Sequence, residues 1–377
     1  MERATNAAFL RLRANCVALS VHVRILHLYR PTLPSTRAQT VQVIHTCHAL
    51  ARRGHDVTLL ADVDAEAPLA SVQAALETYG LDQPPFFDLR LAPTAWKPAA
   101  SLWFRAQVRA WTRAATPDSV VYAREKRYVS LLPPDVPLVF EAHDVAVEME
   151  RESGHDPAPA YAEESAVFRR AAGLVANCGG TMALIESTYD DLPPCRRVVH
   201  NATRLDRAVQ RHPAAFPLVG YTGSPRPFKG LDTVFASLPL WPARAALEMV
   251  GGGPDNVPAG VNVIPSVAYG ELPEWLARYH AVLLPLDDNL FGRALTSPLK
   301  LWDYLATGIP IVAADLPTVR EIGGDTLHYY MPRNPRSLAD AVAEALAAGA
   351  SPRRVRTWDH RATELERFLH TVLAKPA

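Results

Sequence analysis

Lys229 stands just before Gly230 at a helix start, and further along Ser297-Pro298-Leu299-Lys300 opens another helix. A cation at a helix mouth and a run of unpaired first-turn amides both hold anions. Pro298 suits the first helical turn, because proline gives up an amide that has no partner there. The second helix lies within TSPLKLWDYLATGIPIVAADLP and carries one acid, Asp303. With a diphosphate at the mouth, that carboxylate falls within reach of a ribose. Taken alone, the stretch reads better as a plain capped helix whose Asp303 faces solvent.

Other residues with chemical potential also follow strand-like runs. After LVGYTG, Ser224 is a small residue at the strand end, Arg226 adds a cation, and Gly230 permits close backbone approach. A solvated basic turn is the plainer alternative. The run VGGGP, with Gly252 inside it, allows a tight turn or a close ligand. His143 ends VFEAH, at the carboxyl end of a strand, where open parallel sheets bind ligands. Its alternative is a satisfied structural histidine. The first loop, RPTLPSTRAQT, is cationic through Arg30 and Arg37 and has no glycine. A dinucleotide-binding turn needs glycines there, so a nicotinamide enzyme is disfavoured.

Several tempting groups read as structural. Asp62 and Asp64, and the adjacent Asp287 and Asp288, look like solvated loop acids rather than a magnesium site. His45, Cys47 and His48 share one helix, but Cys47 falls on its apolar face with Ile44 and Leu50, so no metal is expected. No Gly-x-Ser-x-Gly elbow supports a hydrolase. Of the tryptophans Trp96, Trp103 and Trp111, the last is expected in the core, while the set offers an apolar acceptor surface as an alternative.

The elements that must position these residues alternate along the chain. Val23 to Tyr29 is a buried strand, Thr40 to Arg53 has helical periodicity, and Asp56 to Ala61 is a strand again. FDLRLA, SVVYAR, PLVFEAH and GLVAN continue the series, and LVGYTG, AALEMVG, VNVIPSV, AVLLPL and IPIVAAD repeat the habit. Such alternation implies α/β architecture with parallel sheets, and there are too many strands for one sheet. The expectation is two doubly wound Rossmann-like domains facing across a cleft. Residues 1–20 form a disordered lead-in, 21–205 a first domain, 206–350 a second, and 351–377 a terminal helix that caps the second domain or crosses back to the first.

Bulk properties narrow the function. The chain has 377 residues, with 39 Lys+Arg against 39 Asp+Glu, so no overall charge favours nucleic acid as a partner. Four scattered cysteines without a Cys-x-x-Cys pair fit a reducing, cytoplasmic setting. No run approaches the roughly 20 apolar residues of a membrane span.

Together SPLKLWDYLATGIPIVAADLPTVREI, GYTGSPRPFKGLDTV, VGGGP, VFEAHD and ALARRGHDVTLL resemble retaining glycosyltransferases of family 4, which have the GT-B fold. The resemblance implies a nucleotide-diphosphate sugar donor, no cofactor, no catalytic metal, and retention of anomeric configuration. By it, Lys229 neutralises the diphosphate, the amides at Pro298 and Leu299 cradle it, Asp303 meets the ribose, and His143 approaches the sugar. Ser224, Arg226, Gly230, Gly252, Ser297 and Lys300 complete the donor side, and Arg37 lies on the acceptor side.

The sequence departs from the family pattern at several points. The second signature acid is Asp303, and the first falls at Leu295, which cannot hydrogen-bond a hydroxyl. The arginine expected near the diphosphate falls at Ser224, with Arg226 as its substitute. The implied acceptor is a glycan, a lipid-linked sugar or a small molecule, with peripheral membrane contact if it is lipid-linked. The competing readings are a degenerate sugar-nucleotide-binding protein, which Leu295 favours, and a sugar-nucleotide epimerase.

Overall fold

The computed structural model describes residues 22–66, 69–206 and 209–374. The expected lead-in at 1–20, with Cys16, lies outside them. The first sheet has β1 (Arg24–Leu28), β2 (Thr32–Leu33), β3 (Asp56–Val63), β4 (Phe87–Leu91), β5 (Ser119–Ala123), β6 (Leu138–Ala142), β7 (Gly173–Ala176) and β8 (Cys195–Val198). Its order is β2-β3-β1-β5-β6-β7-β8, with β4 also paired to β3. The helices between these strands are α1 (Ala38–Arg52), α2 (Val72–Glu77), α3 (Lys97–Arg113), α4 (Ala146–Glu152), α5 (Ala158–Arg170) and α6 (Gly179–Thr188).

The second sheet has β9 (Leu218–Thr222), β10 (Ala246–Val250), β11 (Asn262–Ile264), β12 (Ala281–Leu284), β13 (Ile311–Ala314) and β14 (His328–Tyr330), in the order β11-β10-β9-β12-β13-β14. Its helices are α7 (Leu231–Ser237), α8 (Leu272–Leu276), α9 (Leu299–Thr307), α10 (Pro317–Gly323) and α11 (Pro335–Ala348), followed by α12 (Trp358–Leu373).

The pairings in both sheets are parallel. The central strands SVVYA, LVFEA, AVLL and IVAA are buried along their whole length, as sheets covered by helices on both faces require. Three strands escape a reading by pattern. β2, β8 and β14 are short or polar, and pairing with a neighbour rather than hydrophobic content makes them strands.

The terminal helix crosses back. A Cβ on Gly173 of β7 would lie 2.7 Å from Val372 and 3.0 Å from Phe368, so α12 lies directly on the first sheet. Trp358, Leu365 and Leu369 join that domain's core, and Arg53 pairs with Glu366.

Candidate functional site

The site gathers at the carboxyl ends of β9, β10 and β12. α9 is fixed there because its apolar side, including Leu301, Tyr304 and Leu305, is buried, and Tyr304 Oη lies 2.9 Å from Thr222 Oγ1 at the end of β9. Gly308, with φ of 73°, ends the helix in the left-handed conformation that suits glycine. Helical structure begins at Leu299, so Pro298 is the capping residue, one place earlier than the expected first-turn position. Among the described residues no side chain caps this end and its first turn holds no acid, so the Leu299 and Lys300 amides are available to an anion, while that of Leu301 donates to the Pro298 carbonyl at 3.1 Å. Ser297 turns to the interdomain segment instead, where Asn201 Nδ2 donates to its carbonyl at 2.6 Å.

Two lysines stand close enough here for the charge of one to act on the other. Lys229 ends a 3-10 turn (Pro227–Lys229) that Gly230 closes with φ of 61°, and its Nζ lies 5.0 Å from the Phe228 ring and 5.7 Å from that of Phe291. Burial alone pushes its amine down to about 8. Lys300 reaches from α9 to the end of β9. Its Nζ stands 4.1 Å from the Tyr221 ring centroid, and a Cβ on Gly223 would come within 2.8 Å of it. Burial, and then the nearby charge of Lys229, hold Lys300 well below the ordinary lysine range. Both lysines are half-buried, and neither has a carboxylate partner among the described residues. Gly251 packs on the Gly223 backbone, and Gly252 has φ of 89°, so the triple glycine forms a close floor beside β9. Ser224 and Arg226 are exposed, and Arg226 precedes the 3-10 turn.

Asp303 lies inside the fold rather than on its surface. It is buried, and its Oδ1 accepts from Thr203 Oγ1 at 2.6 Å and Tyr269 Oη at 2.8 Å. Burial raises its carboxyl to about 6, against the lowering effect of those two hydrogen bonds. It is not the surface acid of the plain-helix alternative. Thr203 lies in the segment between the sheets, so Asp303 ties that segment to α9.

Across the cleft, His143 follows β6. Its Nε2 lies 2.9 Å from Glu141 Oε1 and 2.8 Å from an Arg124 nitrogen. Burial, then Arg124, lower its imidazole to about 4 despite Glu141, so the ring is neutral at pH 7. Glu141 is fully buried and also accepts from Arg361 of α12 at 2.6 Å and Gln42 of α1 at 3.0 Å. Burial alone would raise its carboxyl, but Arg361, His143 and Arg124 together hold it well below the carboxylate range. Nothing in the sequence links Arg361 to Glu141, which lie 220 positions apart.

Leu295 explains its own identity. It ends a π-helical turn (Phe291–Leu295) that docks on the first domain, and its side chain lies in that domain's hydrophobic cluster with Ala176, Met182 and Ile185. Asn177 Nδ2 donates to the Leu295 carbonyl at 3.2 Å, and Thr181 Oγ1 to that of Ala294 at 3.1 Å. An acid at this position would be buried among apolar groups.

On the acceptor side, Arg37 is exposed ahead of α1. Asp62 is not the solvated acid expected. It is buried, with Arg30 at 2.9 Å and Lys97 at 3.2 Å, because α3 folds over the end of β3. Asp288 pairs with Arg293, and Asp287 with Arg333. His45 stacks on Trp358 at 5.3 Å, His48 pairs with Asp82, and Trp111 is buried, as a structural role for that helix and that tryptophan requires. Among the described residues no group of His, Cys, Asp or Glu is arranged to hold a metal ion, and no helix is long and apolar enough to cross a membrane.

Comparison with known proteins gives the class. Residues 39–207 match the model described as Glycosyltransferase Family 4, and residues 216–348 match Glycosyl transferases group 1. The two matches take in most of the chain, which belongs to these glycosyltransferases and is an enzyme of that class. Its fold is GT-B. Sucrose-phosphate synthase from Thermosynechococcus elongatus superposes with a TM-score of 0.65 at 14% identity, covering 93% of this chain and 99% of that one. HepE from Anabaena, in complex with UDP and glucose, gives 0.60 at 14% identity over 93% and 97%. WaaG, a glycosyltransferase involved in lipopolysaccharide biosynthesis, gives 0.60 at 15% identity over 94% and 96%. No curated protein sequence matches the chain.

Proposed function

We propose that this enzyme transfers a sugar from a nucleotide-diphosphate sugar to an acceptor hydroxyl, without a metal ion and with retention of configuration. The observation that carries this reading is the pair of half-buried lysines, Lys300 at the mouth of α9 and Lys229 near enough to act on it, without carboxylate partners among the described residues. In the transfer, the bond from the anomeric carbon to the diphosphate breaks, and its electron pair stays on the diphosphate. The acceptor oxygen bonds to that carbon, and the hydroxyl proton leaves to the diphosphate or to water. Negative charge therefore grows where Lys229 and the helix amides stand, and preorganised positive potential is the largest lever on such a step. Neutral His143 offers the sugar a hydrogen-bonding partner without adding charge beside a carbon that is itself becoming positive. Retention rests on the family resemblance. Packing of Leu295 into the first domain supplies a structural reason for losing the first acid, which weakens the degenerate-protein reading.

HepE's complex with UDP makes UDP-sugars the first donors to try. The expected result is slow release of UDP from one UDP-sugar in the absence of acceptor, abolished in Lys229→Ala. Equal release by wild type and variant would move the site elsewhere.

The acceptor reading is a lipid-linked molecule at a membrane surface. α3 carries Lys97, Arg105, Arg109 and Arg113 and no acid. Trp96 and Leu102, at its start, are 68% and 71% exposed. Basic residues beside exposed tryptophan and leucine suit an anionic lipid surface. Arg30 donates to Ser101 at 2.9 Å, so these turns lie at the end of β1, beside the cleft. Sedimentation with phosphatidylglycerol vesicles, reduced in Trp96→Ala/Leu102→Ala, is the expected result. Wild-type protein remaining in the supernatant would sink this reading of the acceptor.

A further inference from the structure

We infer that Lys300, and not Arg226, supplies the second positive charge on the donor diphosphate, standing in for the arginine whose place Ser224 occupies. The inference rests on the donor reading above and assigns a residue within it.

The geometry starts from the end of β9. A long cation rooted at position 224 would place its charge above this turn, but Ser224 is exposed and too short to do so. Arg226, two positions later, is exposed as well and stands before the 3-10 turn. Lys300 comes from the other side. It is the second residue of α9, and its side chain crosses to the β9 turn, where Nζ lies over Tyr221 and against Gly223. The charge therefore arrives at the same turn from a different element. Gly223, with φ of 121°, leaves the room that this crossing needs.

A cation–π contact with Tyr221 alone is the bland reading of Lys300. Two features favour an anion instead. Lys229 is close enough to oppose the charge of Lys300, and no acid among the described residues offsets either amine. Two partly desolvated like charges are unfavourable unless something between them is negative. The Leu299 and Lys300 amides at the α9 mouth have no partner among the described residues and are free for the same anion. A dianionic diphosphate between the two amines satisfies all of these groups together.

The test is calorimetric titration of UDP and of uridine into wild type, Lys300→Met, Arg226→Met and Ser224→Arg/Lys300→Met. Loss of one charge-assisted contact should weaken UDP binding in Lys300→Met by roughly 10–100-fold. Uridine binding, which makes no phosphate contact, should change by less than about twofold on the same scale. The double variant should recover most of the UDP affinity, a rescue that a purely structural role for Lys300 would not give. Arg226→Met losing more than Lys300→Met would overturn the assignment, as would unchanged UDP binding in Lys300→Met. If wild type binds UDP, a negative result concerns Lys300 alone. If wild type binds neither UDP nor, in the same assay, GDP, ADP or TDP, the donor reading falls and this inference with it.

Discussion

The two faces of the cleft treat buried charge in opposite ways. On the first domain, Glu141 is fully buried and its charge has partners: Arg361, His143 and Gln42 converge on its Oε1, and Arg124 binds Gln42 and His143 beside them. On the second domain, Lys229 and Lys300 stand half-buried with no acid among the described residues to offset them. The first arrangement already has its ion pair in the free protein, with Glu141 Oε1 shared by its partners and Oε2 buried without one among the described residues, and it holds α12, α1 and β6 together under His143. The second has no such partner among the described residues, and in the donor reading proposed above it gains one from the ligand. Perturbed groups mark both regions, so perturbation alone does not locate the chemistry.

The largest expected effect tests the paired side. Removing one member of a buried pair strands the other, at about 3–5 kcal/mol. Glu141→Ala should lower unfolding stability by that order in urea titration. A loss below about 1 kcal/mol, the range of exposed pairs, would show that the network is solvated.

Next comes the lysine side, where stability and activity should move in opposite directions. A lysine whose amine is lowered to about 8 when folded binds its proton less tightly than in the unfolded chain. Its presence therefore weakens the free protein at neutral pH, and stability recovers as pH rises from about 8 toward the ordinary lysine value. Lys229→Met should raise the melting temperature of the free protein at pH 7 while reducing transfer by ~10²–10³. A variant that is both less stable and fully active would contradict the contrast between the faces.

Leu295→Glu separates packing from chemistry. Restoring the family's acid buries a carboxyl in the first-domain cluster, and should destabilise the protein by about 1–3 kcal/mol without raising the rate. A gain in transfer would mean that this side chain reaches the sugar.

The smallest effect concerns Asp303. Its folded carboxyl is raised from 3.8 to about 6, so the native state holds the proton more tightly and stability falls as pH rises through that interval. Asp303→Asn should flatten the melting-temperature profile between about pH 4 and pH 6. An unchanged profile would place the titration elsewhere.

The sequence made much of this legible, for identifiable reasons. Strands such as AVLL and IVAA announce themselves because a covered parallel sheet needs continuous apolar runs. The mouth of α9 and the turn at Lys229 could be read because capping and glycine chemistry are local. Partnerships across long separations could not. The sequence offers Asp303 as a ribose contact or a surface acid, and only the fold shows Thr203 and Tyr269 closed over it; Asp62 reads as solvated until α3 brings Lys97 to it. Leu295 looks like a lost catalytic group in one dimension and is an interdomain contact in three. Lys300 was visible as a residue of the helix mouth, but its reach to Gly223 depends on how α9 docks against β9.

The central claim is that the unanswered lysines await a diphosphate. Thermal melting of wild type and Lys229→Ala with saturating UDP, GDP, ADP and TDP tests it most directly. At about 100 times its dissociation constant, a ligand adds about 2.7 kcal/mol to the folded state. The account expects one nucleoside diphosphate to raise the wild-type transition clearly and to leave Lys229→Ala unmoved. An equal shift in both proteins, or none in wild type, would contradict it.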